Sequence, residues 1–278
     1  MSTTMPHRLF CFGLGYSARV LARDLLARGW RVAGTCRDDA GLAELAALGV
    51  EPFRFDALPG SALDGTSHLL SSVPPDETGD PVLSRYGGAL ARIARRLAWA
   101  GYLSTTGVYG DTGGGWVDEA SPTAPSGVRQ ARRVAAERAW QAALPVHVFR
   151  LAGIYGPGRS ALDQVRAGTA RRIDKPGHMF CRIHVDDISN VIMASIARPN
   201  PGAIYNVCDD LPAEPSEVVL EACRLLGREP PPLLPFDTAA LSPMAASFWR
   251  DNRRVRNDRI KNELGVTLRH PDFRSGLR

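Results

Sequence analysis

Gly13-Leu14-Gly15-Tyr16-Ser17-Ala18 carries small residues at the spacing a pyrophosphate-binding turn needs. The first glycine permits a tight turn, and the second lets a phosphate approach the backbone. Ala18 lets a following helix pack on the preceding strand. That helix then offers free N–H groups and a positive dipole end to the anion. The spacing alone is weak, because glycine turns also make ordinary strand–helix joins. Here the flanks agree. Arg8 to Phe12 reads as a strand, and Leu21, Ala22, Leu25 and Leu26 mark one apolar helix face. Leu14, Tyr16 and Ser17 lie inside the turn and count with the glycines as dinucleotide-binding candidates.

The tip of the next strand usually separates NAD from NADP. An acidic residue there bonds the ribose hydroxyls and repels a 2′-phosphate. Trp30 to Cys36 reads as that strand, and Gly34-Thr35-Cys36-Arg37 carries no carboxylate at its tip. Arg37 can fork onto a 2′-phosphate in a way lysine cannot, so NADP is expected ahead of NAD. Asp38 and Asp39 follow directly and offer a competing tether for the guanidinium.

Such a turn must be held by alternating strands and helices, and the first half of the chain supplies them. Helical spacing covers Leu42 to Leu48, Val82 to Trp99 and Val128 to Ala143. Strand-like runs cover Phe53 to Phe55, His68 to Val73, Tyr102 to Thr105 and Val146 to Leu151. A Gly-rich turn, Gly153 to Gly158, follows. Further on come strands at Arg182 to Val185 and Ile204 to Val207, with helices from about Asp187 to Ala197 and Glu217 to Leu226. The expected fold is α/β, a Rossmann-type doubly wound parallel sheet with a smaller C-terminal substrate lobe. Residues 1–150 are read as the nucleotide domain. Residues 151–278 are read mainly as the lobe, with 180–210 returning to the core.

The 278 residues are 44% hydrophobic and 23% charged, which suits a globular chain with a sizeable core. No run approaches eighteen apolar residues, so no membrane partner is expected. Met1 to Arg8 lacks a secretory h-region, which points to the cytoplasm. The five cysteines show no CxxC spacing and read as reduced thiols, so no metal site is expected from them. A net charge of +5 raises the question of nucleic acid. The basic residues gather from Arg250 to Lys261, but Asp251 and Asp258 interrupt them and no aromatics interleave. That pattern reads as a solvated helix face, and nucleic acid is not an expected partner.

Several stretches together resemble one family, the atypical extended short-chain dehydrogenase/reductases of the NAD-dependent epimerase/dehydratase-like branch. They are the Gly13 turn, Leu103 to Asp111, Arg150 to Gly158, Arg182 to Ile188, and Tyr205-Asn206-Val207. They run in the right order over nearly the whole length. The resemblance implies a parallel sheet of about seven strands. It implies that Asp56 and Ser71-Ser72-Val73-Pro74 border the adenine and ribose. It also implies a small-molecule substrate, a monomer or homodimer, and a Ser/Thr–Tyr–Lys set for proton transfer beside a hydride transfer.

In that set Thr105 takes the Ser/Thr place, with Thr106 adjacent and Tyr109 four residues on. The tyrosine position falls on Arg129 and the lysine position on Arg133, with Glu137 as the downstream acid. The only lysines are Lys175 and Lys261, preceded at four residues by Arg171 and Asn257, so YxxxK occurs nowhere. Arg133 can still bind ribose hydroxyls, but Arg129 stays protonated and cannot act as a base. Gly153 stands where many members carry asparagine. Tyr155 and His184 are expected near the substrate, His184 with a structural alternative. Arg150 reads either as an anion ligand or as a strand-end salt bridge. Asp186 and Asp187 read as an acid pair or as helix N-caps. Two functions remain open: an NAD(P)-dependent oxidoreductase or epimerase with a non-standard proton donor, acting on a small, anionic molecule, and a catalytically silent NADP sensor or scaffold.

Overall fold

The computed structural model describes residues 7–239, 241, 246 and 248–278. Its strands in chain order begin with β1 (Arg8–Phe12), β2 (Arg31–Cys36), β3 (Glu51–Arg54), β4 (His68–Ser71) and β5 (Trp99–Thr105). There follow β6 (Trp116–Val117), β7 (His147–Leu151), β8 (Gly153–Tyr155), β9 (Arg172–Asp174), β10 (Arg182–His184) and β11 (Ile204–Val207). The last are β12 (Leu233–Pro235) and β13 (Arg254–Val255). The principal helices are α1 (Tyr16–Leu26), α2 (Asp39–Ala47), α3 (Pro81–Ile93), α4 (Val128–Ala143), α5 (Ala161–Arg166), α6 (Val185–Ala197) and α7 (Pro215–Leu226).

Seven strands make one parallel sheet in the order β11-β7-β5-β4-β1-β2-β3, the expected Rossmann-type arrangement. The chain leaves β1 in one direction through β2 and β3, then restarts at β4 on the other side of β1. A ligand site in such a sheet lies outside the carboxyl ends of the strands at that reversal. The register brings those ends level. Cys11 pairs with Gly34 across β1 and β2, and Phe12 pairs with Ser71 across β1 and β4. Gly13, Thr35 and Ser72 therefore emerge side by side.

The chain divides into two compact units, and neither is a single stretch. The first comprises residues up to Thr105, Ala131–Arg150 and Ile188–Tyr205. Its core includes Phe10, Phe12, Leu69, Tyr102, Trp140 and Val148, all essentially inaccessible. On α1, Leu21 and Leu25 are buried, each stabilising by about 2 kcal/mol. The second unit comprises Thr106–Gln130, Leu151–Asp187 and Asn206–Arg278, with its own core around Tyr155, Val219, Ala222 and Phe273. Residues 106–130, read above as part of the nucleotide domain, cluster with the second unit, and the returning segment is 188–205.

Other expectations are corrected. The helix read from Val82 to Trp99 ends at Ile93, and Trp99 opens β5 with its indole N–H donated to Ser195. The Arg182 strand pairs with β8 in a separate two-stranded sheet. The basic run after Arg250 is not one helix face. Arg254 lies in β13, which pairs with β6, and Lys261 lies in a short helix, Asp258–Asn262. Its cations have specific partners: Arg253 donates to the Gly110 carbonyl and Lys261 pairs with Asp210 at 2.6 Å. No helix among the described residues is long and apolar enough to cross a membrane.

Candidate functional site

The glycine turn is built by its neighbours. Gly13 has φ +79°, a left-handed conformation that a side chain resists. A β-carbon there would also lie 2.9 Å from Val73 and 3.1 Å from the Ser72 hydroxyl. Thr35 on β2 fastens the turn twice. Its hydroxyl accepts from Gly13 N–H at 2.9 Å, and its carbonyl accepts from Leu14 N–H at 2.9 Å. The Ser72 hydroxyl donates to the Gly13 carbonyl. Gly34 completes the fit, because a β-carbon there would meet the Leu14 side chain and the Cys11 carbonyl. Thr35 was not singled out in the sequence, where its only signal was a place one residue after a strand glycine.

Gly15 behaves differently. It has φ −84°, and a β-carbon on it would meet nothing within 4 Å. It is the N-cap of α1, yet no side chain caps that end and no acidic residue lies in the first turn. An open cradle at an uncapped helix N-terminus fits a pyrophosphate. Ser17 is buried on the inner face of α1 with Ala18. Ser71 is fully buried at the end of β4, and its hydroxyl has no hydrogen-bond partner among the described residues. Ser72 and Val73 follow it against Gly13.

The acids beside Arg37 do not tether it. Asp38 caps α2 by accepting from Gly41 N–H at 2.8 Å, and Asp39 pairs with Arg54 at 2.8 Å. Asp56 also pairs with Arg54, at 3.2 Å, and that guanidinium holds its carboxyl below the usual range. Arg37 is exposed and makes no hydrogen bond or ion pair among the described residues. Replacing Arg37 by alanine is expected to weaken NADPH binding about tenfold or more and to leave NADH within about twofold. Parallel fluorescence titrations check this, and equal losses for both nucleotides would refute it.

The family's catalytic positions are altered in structure as well as sequence. Arg133 donates to the Tyr102 hydroxyl at 2.9 Å and to the Leu103 carbonyl at 3.1 Å. The pair echoes a tyrosine beside a cation, but Tyr102 is wholly buried and burial pushes its hydroxyl up to about 12. It keeps its proton near neutrality. Arg129 is exposed at the start of α4, and Thr105 ends β5 half-buried. Arg150 makes the salt bridge. Its Nε and one terminal nitrogen reach both oxygens of Glu137, at 3.2 and 2.8 Å, with both side chains about 5% exposed or less. The Ser104 hydroxyl donates to the same carboxylate.

In the second unit, Thr106 and Tyr109 lie buried in a short 3₁₀ turn. Tyr109 gives its hydroxyl to Asn206 at 2.7 Å. Tyr155 and β8 border a cavity of about 640 Å³, lined also by Arg159, Phe180, Arg182, Val218 and Phe273. Burial holds the Tyr155 hydroxyl well above its usual range, and it donates to the Asp272 carbonyl at 3.3 Å. His184 packs edge-on against Tyr155 at 5.2 Å and accepts from Asp186 N–H at 3.2 Å. Burial first, then neighbouring His270, lowers its pKa. Asp187 does not cap its own helix; it accepts from Arg269 and His270 N–H at 2.7 and 2.9 Å.

No family model matches the chain. Protein YeeZ of Escherichia coli strain K12 is 30% identical over 94% of this chain and 95% of its own length. A conserved protein of unknown function from Silicibacter pomeroyi DSS superposes with TM-score 0.94 at 52% identity, covering 98% of this chain and 96% of its own. The human epimerase family protein SDR39U1, solved with NADPH, shares the fold with TM-score 0.74 at 19% identity, covering 97% of each chain. The order of motifs, the seven-stranded sheet and these full-length likenesses agree, and the chain belongs to the atypical extended short-chain dehydrogenase/reductases, the NAD-dependent epimerase/dehydratase-like family.

Proposed function

We propose that this protein binds a nicotinamide dinucleotide, NADP in preference to NAD, and carries out an oxidoreductase or epimerase-like reaction on a small anionic molecule. The observation that carries the reading is the open Gly15 cradle at the uncapped end of α1, with Arg37 unengaged at the tip of β2. When bound, the dinucleotide supplies or accepts hydride. The residues fit it: the Gly13 turn and the α1 N-terminus receive the pyrophosphate, and Arg37 grips the 2′-phosphate. Structural neighbours solved with NADPH or NAD support a nicotinamide dinucleotide in this fold. Thr105 holds the substrate oxygen, and Arg133 keeps a cation on the family's lysine position. Within the second unit, Arg159 lines the cavity beside Tyr155, and a guanidinium there suits an anionic group. The proton that balances the hydride comes from a group other than the family's usual tyrosine, whose position is held by Arg129, a side chain that cannot give one up.

Purified protein with NADPH and a panel of small carbonyl acids tests this. Substrate-dependent loss of the reduced-nicotinamide absorbance is expected, falling by about a hundredfold in Thr105→Val while NADPH affinity is kept. No turnover across a wide panel, with tight NADPH binding intact, would favour the second reading. That reading is a silent NADP sensor or scaffold, and the burial of Tyr102 together with the engagement of Arg133 supports it.

A further inference from the structure

His184, Asp186 and His270 come together from three points of the second unit, with one donor atom of each within 4.8 Å of the others. His184 ends β10, Asp186 sits in the first turn of α6, and His270 lies in the C-terminal segment. Neither the phosphate turn nor the proposed chemistry uses this cluster. His184 Nδ1 stands 3.8 Å from an Asp186 carboxylate oxygen, and His270 Nε2 stands 4.0 Å from the same oxygen. The two imidazoles are unusually close, with ring centroids 3.9 Å apart.

The framework around these donors is fixed independently of them. Asp187 clamps the backbone of Arg269 and His270, so the loop bearing His270 is fastened to the turn bearing Asp186. The edge of Tyr155 holds the His184 ring. His184 is nearly inaccessible, whereas Asp186 and His270 keep roughly a quarter to a third of their side-chain surface, which leaves an entry path on one side.

We propose that His184, Asp186 and His270 form a binding site for one zinc ion, with at least one coordination position left to water. Two nitrogens and one oxygen suit a late first-row divalent ion, not magnesium or calcium, which take all-oxygen sets. Zinc bonds of 2.0–2.1 Å in a tetrahedron put donor atoms roughly 3.3 Å apart. The donor atoms stand up to 4.8 Å apart, so binding draws them inward, and the partly exposed Asp186 and His270 side chains are the ones that turn. His184 Nδ1 must then release the Asp186 N–H, a single neutral hydrogen bond exchanged for a metal bond. Phe273 and Leu277, which wall the cavity, follow His270 closely in the chain. The ion would therefore brace one wall of that cavity as well as tie down the C-terminal segment.

The test uses untagged full-length protein, stripped with chelator and titrated with cobalt(II). One cobalt per chain is expected, with the visible bands of nitrogen and oxygen ligation, no thiolate charge-transfer band, and a dissociation constant of about 10 μM or tighter. Zinc should displace it stoichiometrically. His270→Gln and Asp186→Asn, both on the open side, should each weaken binding at least about tenfold with metal-free circular dichroism unchanged. They carry the test even where His184→Gln fails to fold. A thiolate band, absence of saturable binding, or unchanged affinity in both variants would overturn the assignment. None of these readouts depends on turnover, so the result stands apart from the proposed reaction.

Discussion

Gly15→Ala is expected to weaken NADPH binding by about a hundredfold while the protein stays folded. The alanine methyl meets no protein atom within 4 Å, and φ −84° is ordinary for any residue. The folded chain itself therefore tolerates the change. Alanine is a poorer N-cap than glycine, so a stability loss of up to about 1 kcal/mol is expected, or a few degrees in melting temperature. The methyl instead occupies the space through which a pyrophosphate reaches the helix N-terminus, and each tenfold loss corresponds to about 1.4 kcal/mol. Gly13→Ala makes the contrast. It forces a side chain into φ +79° and against Val73, so stability and affinity should fall together. Fluorescence titration beside thermal melts separates the two cases. Unchanged affinity in a folded Gly15→Ala protein would remove the turn from the cofactor site.

Glu137→Ala is the second large effect, a loss of about 3–5 kcal/mol of stability. The substitution leaves the Arg150 guanidinium buried at about 5% exposure without its carboxylate, and the Ser104 hydroxyl without its acceptor. Restoring the charge balance should recover much of the loss. A Glu137→Leu, Arg150→Met double variant is expected to regain more than half of it, because a buried ion pair is barely better than an apolar pair of similar volume. Urea unfolding of the three proteins checks this. A loss under about 1 kcal/mol in the single variant would show that water reaches the pair.

The parts legible in the sequence were those decided by neighbours in the chain. The β1–turn–α1 unit announces itself because strand, glycines and helix face lie within twenty residues. The segment Val128 to Ala143 shows its helical spacing directly and is helical over that span. What stayed hidden was decided by partners far along the chain. Arg150 carries no local sign that Glu137 will take two of its nitrogens, nor Tyr109 that Asn206, 97 residues away, will accept its hydroxyl. Arg37 could not be separated from Asp38 and Asp39 by spacing alone. Only the helix cap and the distant Arg54 settle where those acids go. The arginines after Arg250 looked like one solvated face because their carbonyl partners, Gly110 and Gly114, lie more than a hundred residues upstream.

The division of the first unit into three stretches has a consequence for how the chain is made. Five strands, β1 to β5, leave the ribosome in sequence and can pair with one another at once, forming the run β5-β4-β1-β2-β3. The edge next to β5 then stays bare until β7 arrives, and β11 closes the sheet only when residue 207 has emerged. At elongation rates of roughly 5–20 residues per second, the about 45 residues between β5 and the end of β7 leave that edge open for about 2–9 seconds. An open parallel edge is a template for wrong pairing, so the nascent protein passes through a vulnerable interval that its finished form gives no sign of. A single cut in the finished chain also cannot release either unit whole, because each is threaded through the other's sequence.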